Sequence, residues 1–252
     1  MRPSTAFAIA ALALSSAAAA ADVPAILTAP RARVQTADYR VNGRLVTVDA
    51  KGARVSYGVT IKAHWFPGVL RVLLDVTSPA AARQHVLLEM RPGASDAVSL
   101  AKPGDTSTAI LPYSHWSDGV LGGAFSYEDF LAPEYFWPSQ TVVEETKRGA
   151  RDCVVVNSSP GNAQRTHYAD VRSWLDKSIG FPVYVEKTLK GSSAIKEYTY
   201  FGIRHDEGVW SATQIEASVQ GKPGSTLLIF ERGSAKANLG LKDFSQEAMI
   251  HF

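Results

Sequence analysis

The chain has 252 residues, 26 Lys and Arg against 24 Asp and Glu, a formal net charge of +2 and one cysteine. A charge so near balance argues against nucleic acid or an anionic membrane as the main partner, and a lone cysteine excludes an intramolecular disulfide. No Pro-Gly-Ser linker, charge block or internal repeat divides the chain, so a single domain with its own core is expected.

Residues 1–21 carry one cation, Arg2, then an apolar stretch from Ala6 to Leu14 and a small-residue tract ending Ala19-Ala20-Ala21. That is the layout of a cleavable secretory signal peptide, with the mature domain expected at 22–252. The apolar stretch is short of the roughly 20 residues a spanning helix needs. No cysteine stands at the cleavage site to take a lipid, since the only one is Cys153. A diffusible periplasmic protein is expected.

Beyond the leader, segments rich in Val, Ile, Thr, Tyr, Phe and Trp alternate with Gly, Asn, Asp and Pro punctuation, which predicts strands. In order they are Tyr39–Val48, Ala53–Trp65, Leu70–Val76, His85–Arg91, Ala97–Ala101, Thr108–Pro112, Thr141–Arg148, Arg151–Asn157, Tyr168–Leu175, Val183–Leu189, Ile195–Ile203, Trp210–Val219 and Thr226–Arg232. Short connections such as Asp49-Ala50-Lys51-Gly52 and Lys190-Gly191-Ser192-Ser193 join neighbours antiparallel, as a meander. Runs such as Leu227-Leu228-Ile229-Phe230 place apolar residues on both sheet faces, so both must be covered. Helical signals are few. Ser126-Tyr127-Glu128-Asp129 has capping-box spacing, and Pro133 and Pro138 keep any helix there short.

Catalytic constellations are not visible. The six histidines are scattered without metal-ligand spacing, and no second cysteine completes a metal site. There is no Gly-x-Ser-x-Gly elbow, and Cys153 lies in the apolar run Cys153-Val154-Val155-Val156, where a buried, inert thiol is expected. Gly221-Lys222-Pro223-Gly224-Ser225-Thr226 lacks phosphate-loop spacing and reads as a hairpin turn. The carboxylates of Glu144-Glu145 and of Asp206-Glu207 would point to opposite faces of a strand, unlike a glycosidase pair.

The mid-chain run Gly122-Gly123-Ala124-Phe125-Ser126-Tyr127-Glu128-Asp129 resembles a signature of one branch of the LolA-like outer-membrane lipoprotein-sorting superfamily. The likeness extends to the Thr77-Ser78-Pro79 corner, Trp174-Leu175-Asp176-Lys177 with Phe181-Pro182, and Asn238-Leu239-Gly240-Leu241 before Asp243-Phe244. Ala124 stands where the family often carries Asp. The resemblance implies a mainly β, single-domain, curved antiparallel half-barrel with a few short lid helices over an apolar concave face. It further implies a periplasmic carrier of lipoprotein acyl chains, lipid or other apolar envelope cargo, and no enzyme.

On that reading the cavity and lid candidates are Val59, Ile61, Leu73, Phe125, Tyr127, Phe130, Tyr135, Phe136, Trp174, Tyr184 and Phe201. No catalytic residue, metal or cofactor is expected. The partners would be an acyl chain or lipid, an inner-membrane transporter and an outer-membrane acceptor, with the protein a monomer. The alternative, from a different class, is an envelope sensor or docking protein for a membrane transporter or regulator. A lipid hydrolase ranks last, because no nucleophile and base stand together. Strand register carries the weight here: a slip of one residue turns every inward side chain outward.

Overall fold

The computed structural model describes residues 22–94, 96–162 and 164–252. The expected leader, 1–21, lies outside the described residues.

Thirteen strands form one antiparallel sheet that does not close on itself. The first half of the chain supplies β1 (Asp38–Val48), β2 (Arg54–Phe66), β3 (Val69–Ser78), β4 (Gln84–Met90), β5 (Ala97–Ala101) and β6 (Ala109–Ile110). The second supplies β7 (Ser139–Arg148), β8 (Arg151–Ser159), β9 (Tyr168–Asp176), β10 (Pro182–Leu189) and β11 (Ile195–Phe201). A small hairpin, β12 (Arg204–Asp206) with β13 (Val209–Ser211), then precedes β14 (Gln214–Val219) and β15 (Ser225–Ser234). The spatial order β6-β5-β4-β3-β2-β1-β15-β14-β11-β10-β9-β8-β7 is two meanders joined at one seam, β1 against β15.

That topology dictates the lid. The segment 111–138 must run from one far edge of the sheet, β6, to the other, β7, and it does so across one face. Trp116, Val120, Phe125, Leu131 and Trp137 of this segment share one buried cluster with inward residues of strands from β1 to β15, among them Leu45, Val59, Val72, Val86, Val171, Val185 and Leu228. So short a segment touches strands this far apart only because the sheet curls around it. The predicted half-barrel is the observed fold.

Within the lid the chain makes single 3-10 turns at Tyr113–His115, Val120–Gly122, Tyr127–Phe130 and Pro133–Phe136. Gly123 lies directly on the seam: a Cβ there would meet Thr226 Oγ1 at 2.9 Å and Thr47 Cγ2 at 3.2 Å, and those threonines are register partners. At the β7 end, helices α1 (Val23–Ile26) and α2 (Thr28–Gln35) back the lid, with Leu27 buried against Tyr135 and Leu175. Part of the convex face, over β3 to β5, is covered by helix α3 (Gln246–Ile250) and the turn Leu241–Phe244, where Phe244 and Met249 bury Leu73 and Ala101.

The predicted strands match closely, with two differences. Trp210–Val219 is interrupted: β13 and β14 are separate, because Arg204–Asp206 folds back on Val209–Ser211 as its own hairpin. Helices α1, α2 and α3 were not expected at all.

Candidate functional site

The signature turn Tyr127–Phe130 brings its acids to the concave face. Asp129 reaches back to the Ser126 amide (2.7 Å), the return arm of the expected capping box, while the Ser126 hydroxyl donates to the same carboxylate (2.7 Å) and the Asp129 amide donates to the Ser126 carbonyl (3.2 Å). The same carboxylate does far more than cap. Lys196 Nζ stands 2.6 Å from Oδ2, Lys187 Nζ 3.3 Å from Oδ1, and the Tyr168 hydroxyl donates to Oδ1 at 2.7 Å. The Asp129 side chain is fully buried and both lysines nearly so.

Burial alone would raise the Asp129 carboxyl; Lys196 and then Lys187 outweigh it and hold it far below the usual carboxylate range. Burial would likewise lower the Lys187 ammonium, but Glu134 and Asp129 keep it above the usual lysine range. Both ammoniums also lie over the rings of Tyr168 and Tyr198, Lys187 at 5.1 Å from each centroid. Burial, with Asp129 beside it, drives the Tyr198 phenol well above its ordinary value, so it stays protonated.

Glu128, the neighbouring acid, faces β9. It accepts from Thr166 Oγ1 (2.8 Å) and the His167 amide (3.2 Å), with His167 Nδ1 at 3.1 Å. Burial raises this carboxyl, and the Asp129 charge adds to the rise. Tyr113 stacks on the same His167 ring at 4.2 Å. Two further bonds close the clasp: Ala124 N donates to Thr226 Oγ1 (2.8 Å), and Arg31 of α2 donates to the Tyr135 carbonyl (2.7 Å). The lid is thus held by apolar packing and a short series of charged and hydroxyl contacts.

Between lid and sheet remains a cavity of about 80 Å³, lined by Phe130, Leu131, Ile215 and Leu228 and, at its polar end, by Glu134, Lys187 and Tyr198. A dry cavity of roughly 150 Å³ holds one benzene, so an acyl chain enters only if the lid moves. An open depression of about 920 Å³ at the β7–β8 hairpin involves no lid residue; its charges are already paired, Lys177 with Glu145 and Arg151 with Asp176.

Of the candidates named from sequence, Val59, Ile61 and Phe125 lie in the core between sheet and lid, and Tyr127, Phe130 and Phe136 pack against it. Tyr135 is buried beside α1 and α2. Four others sit elsewhere. Leu73 points to the convex face under α3, since Leu70, Val72, Leu74 and Val76 take the inward positions of β3. Trp174 and Tyr184 are convex too, packed with Cys153 and with the Arg148 guanidinium 3.3 Å from the Tyr184 ring centroid. Phe201 is 42% exposed, because Lys196, Tyr198 and Tyr200 hold the inward parity of β11. Sequence reading missed Lys187, Lys196, Tyr168, Tyr198 and Glu134. The usable signal was parity: Lys187 shares its face with Val185, and Lys196 with Tyr198.

Among the described residues no cluster of His, Cys, Asp and Glu could hold a metal ion, and no helix is long and apolar enough to cross a membrane. Burial, helped by Asp176, pushes the Cys153 thiol up.

A curled antiparallel sheet with a lidded apolar concave face defines the LolA-like fold, and solved structures of that class superpose on the chain. A Vibrio parahaemolyticus domain assigned to outer membrane lipoprotein sorting matches with TM-score 0.81 at 18% identity, covering 89% of this chain and 97% of its own. A DUF1329 family protein from Desulfovibrio piger gives 0.80 at 15% identity, covering 90% and 98%. A LolA superfamily protein from Nitrosomonas europaea gives 0.68 at 17%, covering 91% and 100%. No curated protein matches by sequence. Residues 70–251 match the family model described as "-like: Uncharacterized protein", and the chain belongs to that family.

Proposed function

We propose that the protein is a periplasmic carrier: residues 1–21 are a cleaved leader, and the domain 22–252 binds an acyl chain, lipid or other apolar envelope molecule on its concave face and moves it toward the outer membrane. The observation that carries this reading is the lid. Its buried aromatic and aliphatic side chains lie on an apolar sheet face, and the covering segment is a crossover that adds no strand to the sheet, which supports a lid able to lift.

Each methylene leaving water is worth roughly 0.8 kcal/mol, so a chain of common length offers about 10 kcal/mol gross. Lifting the lid loses apolar packing of similar kind, which the incoming chain replaces. A closed lid also shields the empty protein, since an open apolar trough of this size would aggregate. Val59, Ile61, Phe125, Tyr127, Phe130, Tyr135 and Phe136 are the proposed contact residues, and an inner-membrane donor and an outer-membrane acceptor complete the route.

The test is native mass spectrometry with lipid extraction on protein exported to a bacterial periplasm, comparing wild type with Phe130→Asp. An apolar species carried by the wild type and lost in the variant supports the carrier. A folded, empty wild type that takes up no added lipid overturns it and favours a docking protein for an envelope transporter.

A further inference from the structure

Lys187 and Lys196 are Cα partners across β10 and β11, both directed into the concave face. Like charges directly opposite on paired strands repel, and here each side chain is no more than 7% exposed. The sheet therefore presents two facing cations in an apolar trough. Beside them stands Tyr198 on β11, its ring under both ammoniums and its buried hydroxyl without a hydrogen bond of normal length among the described residues. The carboxylates that answer these cations, Asp129 and Glu134, both belong to the lid, and Glu134 Oε2 is itself unpartnered.

Lifting the lid for a neutral chain would strand both ammoniums in an apolar face without a counterion, the costly way to break a buried ion cluster. A cargo bearing its own anion would not. We propose that Lys187, Lys196, Tyr168 and Tyr198 form an anion site in which Asp129 is a built-in stand-in, and that the cargo is an anionic amphiphile whose carboxylate or phosphate head replaces it. The tail then starts in the small cavity against Ile215 and Leu228, next to Lys187 and Tyr198. This inference rests on the carrier reading and narrows its cargo.

The test titrates dodecyl phosphate, dodecanoate and dodecanol, each below its micelle concentration, and inorganic phosphate, into wild type, Asp129→Asn and the triple variant Lys187→Met/Lys196→Met/Asp129→Asn. Circular dichroism reports folding. Charge-assisted contacts predict that wild type prefers an anionic probe over dodecanol by about tenfold or more. Asp129→Asn, its internal competitor removed, tightens anionic binding by about tenfold, and the triple variant binds all three chains alike. The phosphate and carboxylate arms identify the head. Equal affinity for dodecanol and the anions in wild type overturns the anion site and leaves the carrier standing. Binding of inorganic phosphate as tight as that of dodecyl phosphate overturns the amphiphile. No chain binding by any folded variant overturns both readings. If Asp129→Asn does not fold, wild type against the triple variant with Glu134→Gln added, which removes both cations and both lid carboxylates together, decides alone.

Discussion

At the residue scale the molecule turns on Asp129, a carboxylate with two lysines beside it, accepting two hydrogen bonds from Ser126 and one from Tyr168. Asp129→Ala leaves Lys187 and Lys196 buried and facing each other, so a loss of about 3–5 kcal/mol is expected in urea unfolding. Replacing the whole ion cluster with apolar groups is expected to be near neutral, which separates lost charge balance from lost packing. Asp96 behaves oppositely. It accepts from the Arg91 amide, and burial, with the Glu128 charge nearby, pushes its carboxyl up to about 6. Its folded form takes up a proton more readily than the unfolded chain, so its contribution is most favourable below about pH 4 and declines as pH rises to about 6. Asp96→Asn should flatten that decline in unfolding free energies measured from pH 4 to 7. Asp129, with its carboxyl held low, favours folding above about pH 4, and this contribution fades only in stronger acid.

At the element scale the lid is a crossover pinned at the seam. Gly123→Val puts two methyls where Thr47 and Thr226 leave no room, and overpacking of this kind costs about 1–3 kcal/mol. Amides of 111–138 should then exchange faster while those of β2 and β3 do not, as hydrogen exchange will show. The strands could be read from sequence because β-branched runs and turn glycines mark them independently of context; Ala97–Ala101 was placed to the residue. The helices could not, since α1 and α3 are a single turn or little more. Their caps were nevertheless present: Asp22 accepts from Ala25 N ahead of Pro24, and Ser245 from Ala248 N. The charged floor was hidden for a different reason. A lysine in a strand ordinarily marks the solvent face, and only the partner brought by a distant segment, Asp129 from the lid, reverses that rule for Lys187 and Lys196. Leu73, Trp174, Tyr184 and Phe201 failed by parity, since apolar residues also occupy the convex face, where α3 and the Arg148 guanidinium cover some of them.

At the scale of the whole molecule an unclosed sheet has two edges to defend. The β6 edge is two residues long. The β7 edge carries Glu144, Glu145, Lys147 and Arg148 and a register shift between Val142 and Glu144, devices that discourage edge-to-edge pairing. Glu144→Val with Lys147→Val, added to Val143, which is already 48% exposed, should convert that edge into a self-association surface. Sedimentation velocity will show larger species at micromolar concentration that the parent lacks. The seam raises a question of timing. β1 pairs with β15, so the inner edge of the first meander stays open until Ser225–Ser234 arrives. The sixth strand ends at Ile110, so at a synthesis rate of about 5–20 residues per second the wait for Ser225 is roughly 6–23 s. For that time six strands have no partner for their longest free edge, and a newborn chain depends on something else to cover it.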